Sequence, residues 1–146
     1  MTAAARVLLV AANDAAALTG NERTLRRIAD LLRGAGVHVD VARPGDAAAA
    51  HAAAEPPPDL VHAFHVRRSG PRALEIAELL DVPAVVSVTG TDLGVDLHDP
   101  ARAPLIRAVL AKMDGVACGH AEEAAVATGL VGKGRSEGSY VFGGPE

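Results

Sequence analysis

This chain has one cysteine, no tryptophan, one tyrosine and two phenylalanines in 146 residues. The lone Cys118 excludes an intramolecular disulfide, and its place in an apolar run reads as a small core residue. With aromatics at 2%, the interior must be built from Leu, Val, Ile and Ala, which demands close helix–sheet contacts. No stretch approaches the roughly 18 consecutive apolar residues of a membrane span. The first residues lack a basic segment, an apolar block and a cleavage site, so a cytoplasmic protein is expected. A basic surplus is absent as well: the net charge of −4 argues against nucleic acid as a partner. Arg23, Arg26, Arg27 and Arg33 group locally but read as a solvated helix face.

Several chemical signatures are also missing. The first apolar run is not followed by G-x-G-x-x-G, which disfavours an ordinary dinucleotide fold. Gly129 to Gly134 offers glycines and Lys133, but neither the P-loop spacing nor a preceding strand. There is no G-x-S-x-G nucleophile elbow. His62 and His65 lie three apart on a strand and point to opposite faces, so no zinc site is expected, and neither is a resident cofactor. His62 reads as a core or helix-packing histidine. His65, at the strand's end, reads as facing a crevice.

What is present is a hydrophobic fraction of 49%, enough to give a chain of this length one ordinary core. Strand-length apolar runs fall at residues 6–12, 37–41, 60–64, 83–88 and 115–118. Helical patterns alternate with them. Asn21 is placed to cap a helix in which Leu25, Ile28, Ala29 and Leu32 repeat at i, i+3, i+4, i+7, and Gly34 and Gly36 end it. Residues 46–55 are alanine-rich and are expected as a short helix before the stiff Pro56-Pro57-Pro58. Further helices are expected at 71–80, with proline near the first turn, at 104–113 and at 121–127. Strands alternating with helices imply a parallel sheet with right-handed crossovers. The expectation is an α/β fold: a doubly wound, Rossmann-like sheet of five or six strands over residues 1–128. A Gly-rich tail, residues 129–146, follows, with a possible edge strand at 139–142.

Three strand ends run into polar corners, where ligands sit in open α/β sheets. The first is Leu18-Thr19-Gly20-Asn21-Glu22-Arg23-Thr24, either a tight turn with an N-cap or an anion site at a helix amino terminus. The second is Phe64-His65-Val66-Arg67-Arg68-Ser69-Gly70, whose adjacent arginines are either solvated or a fork for phosphate or carboxylate. The third is Thr89-Gly90-Thr91-Asp92-Leu93, either a set of short polar groups for sugar hydroxyls or a cap through which Thr91 or Asp92 starts a short helix. Gly119-His120 follows the fifth strand, with His120 a helix-start residue or one more edge group.

Thr19-Gly20-Asn21 with Thr24, then Pro58-Asp59-Leu60-Val61-His62-Ala63 before His65-Val66-Arg67-Arg68-Ser69, then Thr89-Gly90-Thr91-Asp92-Leu93 together resemble the amino-terminal half of a GT-B glycosyltransferase over residues 6–128. The similarity is to the group-1, or family-4, retaining enzymes. Within them it is to the branch with TGN and TGTD loops that includes selenosugar synthases and glycosyltransferase 1 domain-containing proteins. The resemblance implies transfer of a sugar from a nucleotide-sugar donor to a small-molecule acceptor. It also implies two Rossmann-like domains facing a cleft, with the acceptor held on the amino-terminal side and no Asp-x-Asp metal site. It points to Gly20, Asn21, Thr24, His65, Arg67, Arg68, Ser69, Thr89, Gly90, Thr91 and Asp92 as substrate-side residues, and position after the fifth strand adds His120.

Two departures bear on this. Thr89 stands where many members have a histidine, and no pair of glutamates has the Glu-x7-Glu spacing of the donor-binding domain. These residues are therefore expected to be inactive without a second domain or polypeptide that supplies the donor site. The alternatives are a non-catalytic small-molecule-binding or regulatory α/β domain, and an unrelated flavodoxin-like module.

Overall fold

In the computed structural model, the described residues are 4–14, 19–47, 56–88, 90–119, 121–130 and 140–143. They form strands β1 (Arg6–Val10), β2 (His38–Ala42), β3 (Leu60–Phe64), β4 (Ala84–Ser87), β5 (Gly115–Cys118) and β6 (Tyr140–Gly143). The helices are α1 (Gly20–Gly34), α2 (Val66–Leu80), α3 (Gly90–Gly94), α4 (Ala103–Lys112) and α5 (Ala121–Thr128), with a 3₁₀ turn at Asp96–His98. The six strands make one sheet in the order β2-β1-β3-β4-β5-β6, and every pairing is parallel. The α/β, doubly wound architecture expected from the alternation is thus present. Its order is the 2-1-3-4-5 arrangement, one of the two common doubly wound orders, and it puts the topological switch point between β1 and β3.

Right-handed crossovers decide which helix covers which face. The chain moves from β1 to β2 in one direction and from β3 to β6 in the other, so α1 lies on one face and α2, α4 and α5 on the opposite one. The core divides accordingly. Leu25 and Ala29 of α1 pack with Leu9, Ala11, Val39 and Phe64. Ile76 and Ala77 of α2, Ile106, Val109 and Leu110 of α4, and Ala127 of α5 pack with Leu8, Val10, Val61, Ala63, Val86 and Val116.

Helix boundaries correct the sequence reading in two places. The cap of α1 is Thr19, not Asn21: the Thr19 hydroxyl accepts from the Glu22 amide at 3.2 Å, and Asn21 is already helical. The T-x-x-E spacing of a capping box carries this signal. Gly36, at φ +88°, lets the Val37 amide reach the Leu32 carbonyl at 2.9 Å and so closes the carboxyl end. Second, the Arg67–Gly70 segment is not a loop. It is the first turns of α2, which starts at Val66 and holds Pro71 internally. A buried carboxylate supplies the missing start signal, as described below. Of the short helix expected over 46–55, residues 48–55 lie outside the described residues. The tail strand is β6, paired with β5.

Gly70 is where α2 meets α4. A Cβ at this position would come to 2.6 Å from Val109 Cγ1. In an open helix Gly→Ala gains about 1 kcal/mol of propensity, whereas overpacking costs about 1–3 kcal/mol. Gly70→Ala should therefore destabilise the domain, and in a Val109→Ala background it should become neutral or stabilising. Urea midpoints of the four variants measure this, and an equal effect of Gly70→Ala in both backgrounds would refute the close approach.

Candidate functional site

The loops after β1, β2, β3 and β4 lie at the carboxyl edge of the sheet, because every strand runs the same way. At the switch point, Asn13 after β1 bonds from Nδ2 to the Thr19 hydroxyl at 2.9 Å. Its Oδ1 accepts from Arg68 Nη1 at 3.2 Å, so the polar groups of the β1 and β3 ends meet across the crevice. Gly20 opens α1, and a Cβ there would meet nothing within 4 Å, so the approach to this helix terminus is clear. Asn21 is half-buried and Thr24 exposed on the same helix.

Beside them Glu22 is 2% exposed. Arg43, just after β2, grips it with both ends of its guanidinium, and Arg26 bonds it at 2.8 Å. Burial alone would raise the Glu22 carboxyl, but the hydrogen bonds and charges of Arg43 and Arg26 overcome this and hold it below its ordinary value. Arg72 of α2 bonds the carbonyls of Arg43 and Asp46, which ties the β2 loop to the β3 helix.

At the end of β3, His65 takes φ +84°, a conformation that costs a non-glycine residue energy and tends to persist where function or tight surroundings hold it. The next residue starts α2, and its amide lies 3.1 Å from both oxygens of Asp92. Asp92 is fully buried. It comes from α3, the short helix at Gly90–Gly94, and it caps the neighbouring helix α2. Its Oδ1 also lies 3.2 Å from His65 Nδ1. That nitrogen is 3.3 Å from the Arg68 amide as well, and it can serve only one of them. Nδ1 accepts from the Arg68 amide and so caps the start of α2, which leaves the ring hydrogen of the neutral imidazole on Nε2. The imidazole's pKa is lowered, first by burial; Arg68 and Arg67 add to this, while Asp92 and Asp96 oppose it.

Asp96, in the 3₁₀ turn, is likewise 0% exposed. It accepts from Arg67 Nε at 3.2 Å and Arg102 Nη1 at 2.8 Å. Burial would raise its carboxyl, and the bonds and charges of Arg102 and Arg67 lower it below its ordinary value. His65, Asp92 and Asp96 bring three potential ligand atoms within 4.8 Å of one another. Their oxygens already hold two guanidinium groups and a helix amide, so the cluster reads as an ion-pair network.

The structure sorts the residues singled out in the sequence. His65, Arg67, Arg68, Gly90, Thr91 and Asp92 share the ends of β3 and β4, with Gly20, Asn21 and Thr24 across the switch point. Ser69 is buried, its hydroxyl committed to the carbonyls of Phe64 and His65, which makes it part of the α2 start. Thr91 is exposed on α3. Thr89 and His120 lie outside the described residues. Sequence reasoning passed over Asn13, Glu22, Arg43, Asp96 and Arg102. Glu22 was visible as the acidic end of the capping box. The pairing of Asp96 with Arg67 carries no local signal, because the two lie 29 positions apart. No protein-family model matches the chain, and no curated protein matches it.

Proposed function

We propose that these residues form the acceptor-side half of a retaining GT-B glycosyltransferase, with the switch-point crevice holding an acceptor that carries an anionic group. The observation that carries this reading is the bridge from Arg68 to Asn13 across the β1–β3 switch point. It leaves a guanidinium beside the amino termini of two fifteen-residue helices. Free amides and the helix dipole favour anions at such ends, and arginine adds a fork that matches phosphate or carboxylate. In this reading Arg68 and the start of α1 bind and orient the acceptor. The nucleotide-sugar donor is bound by a facing domain, on the same or another polypeptide.

The proposal predicts no measurable glycosyl transfer by purified residues 1–146, and transfer when a donor-binding half is supplied. Incubation with nucleotide sugars, followed by nucleotide release, measures it. Turnover by these residues alone would overturn the proposed division of labour.

A second reading, a non-catalytic small-molecule-binding domain, draws support from a different observation. Glu22, Asp92 and Asp96 are all consumed by internal partners, which leaves no free carboxylate among them for chemistry. Ligand binding with no turnover in the presence of any donor half would favour it.

A further inference from the structure

We propose that His65 is an anion-binding donor of the crevice: its Nε2–H bonds a phosphate group of the ligand, alongside Arg68 and the first amides of α1. This inference deepens the crevice reading above and rests on it for the ligand's location.

The first observation is an enclosed ring with one donor unspent. His65 is 4% exposed, and its Nδ1 accepts from the Arg68 amide at 3.3 Å. Burial, the largest cause, lowers the ring's pKa, so the ring is neutral at pH 7 and carries its hydrogen on Nε2. That nitrogen lies across the ring from the α2 start and has no hydrogen-bond partner among the described residues; the ring's polar contacts all fall on Nδ1. No enclosed side-chain nitrogen or oxygen among the described residues lacks a partner, so the Nε2–H meets the surface. His65 is the first residue past β3, so it does so at the carboxyl edge, on the switch point. A hydrogen bond made from so enclosed a ring is stronger than one made in open water.

The second observation is what stands beside the ring. Arg68 is exposed, and its charge is near enough to His65 to add to the lowering of the ring's pKa. One of its N–H groups bonds Asn13 Oδ1 at 3.2 Å, and the others have no partner among the described residues. Asn13 in turn donates to Thr19 Oγ1 at 2.9 Å, which brings the guanidinium to the amino end of α1. There Thr19 takes the Glu22 amide, while the amides of Gly20 and Asn21 have no intrahelical acceptor and no other partner among the described residues. The nearby carboxylates are already spent: Glu22 and Asp96 each lie between two arginines, and Asp92 takes the Val66 amide on the Nδ1 side of the ring. Donors thus come from the end of β3, from α2 and from α1. A carboxylate offers two oxygens in one plane, whereas a phosphate monoester offers three in a tetrahedral array, which suits donors arriving from three elements.

The test uses the ¹⁵N-labelled chain at pH 7. Long-range ¹H–¹⁵N correlation should show His65 as the Nε2–H tautomer; the Nδ1–H tautomer would overturn the proposal. Inorganic phosphate should shift the Nε2 resonance together with the Gly20 and Asn21 amides, to saturation, and hexose 6-phosphate should do the same. Acetate should bind about 10-fold more weakly. His65→Asn offers a cap for the Arg68 amide and tolerates positive φ but lacks the Nε2–H, so it should weaken phosphate binding about 10-fold. Its urea midpoint reports any structural loss separately, and if the variant does not fold, the Nε2 shift in the parent chain decides. Unchanged phosphate affinity in folded His65→Asn, or phosphate binding that moves the α1 amides and leaves Nε2 unmoved, would remove His65 from the site. Acetate bound as tightly as phosphate, or no saturable shift at millimolar phosphate, would overturn the ligand class. All of these readouts are independent of sugar transfer, so failure of the glycosyltransferase reading and failure of this one are separable.

Discussion

Replacing Asp92 by alanine should cost the fold about 1–3 kcal/mol for the buried Val66 amide it leaves unsatisfied, with the lost packing of a fully buried side chain added. This carboxylate receives the first amide of α2 and lies beside the His65 ring while itself fully buried. Its loss orphans the Val66 amide in the core and removes one of the restraints on the strained backbone at His65. A domain's net stability is only about 5–15 kcal/mol, so the variant should lose a large share of it. Asp92→Asn, which keeps an acceptor for the amide, should cost less. Urea denaturation followed by far-ultraviolet circular dichroism measures both. If Asp92→Ala melts with the parent chain, the α2 start is held by something else.

The second large effect is acid lability above the carboxylate range. His62 Nε2 sits 2.8 Å from Ser87 Oγ, and the ring stacks on Phe64 with centroids 4.6 Å apart. Burial lowers its pKa from 6.5 to about 4. The folded state therefore resists a proton that the unfolded chain accepts. Stability is intact above about pH 6.5 and falls as pH drops from there to about 4, losing about 3 kcal/mol in all at 1.36 kcal/mol per unit.

His65 is shifted in the same direction and adds to the loss. Glu22 and Asp96, held below their ordinary values of 4.5 and 3.8, lose their contribution only at lower pH. The interval between pH 6.5 and 4.5 thus reports on the histidines. Urea midpoints across that interval should slope steeply for the parent chain and less for His62→Gln. An equal slope in the two proteins would place the proton uptake elsewhere.

Much of this fold was legible because its signals are local. Arg6–Val10, Leu60–Phe64 and Gly115–Cys118 are short apolar runs, buried by a parallel sheet on both faces. The stripe of Leu25, Ile28, Ala29 and Leu32 could only be one face of a helix. The polar corners after β1, β3 and β4 were visible for the same reason: each is an abrupt change of composition within a few residues. The start of α2 was not visible. Nothing near Val66 looks like a cap, since the residue that satisfies its amide lies 26 positions later. Proline at position 71 pulled the expected boundary inward, although the helix accommodates it.

Local periodicity and composition by themselves determined the α/β class, the parallel sheet, the order of elements and the chain segments that end at the sheet's carboxyl edge. These follow from residue spacing and backbone chemistry within single elements. Tertiary structure alone decided that β3 lies beside β1, which creates the switch point. It also decided that Asp92 serves α2, that Asp96 pairs with Arg67 and Arg102, and that Arg43 buries Glu22. Apart from Asp96 with Arg102, six positions apart, each of these joins groups far apart in sequence. A buried carboxylate is stable only where the fold delivers cations or amides to it, and no local pattern records which distant residue will arrive.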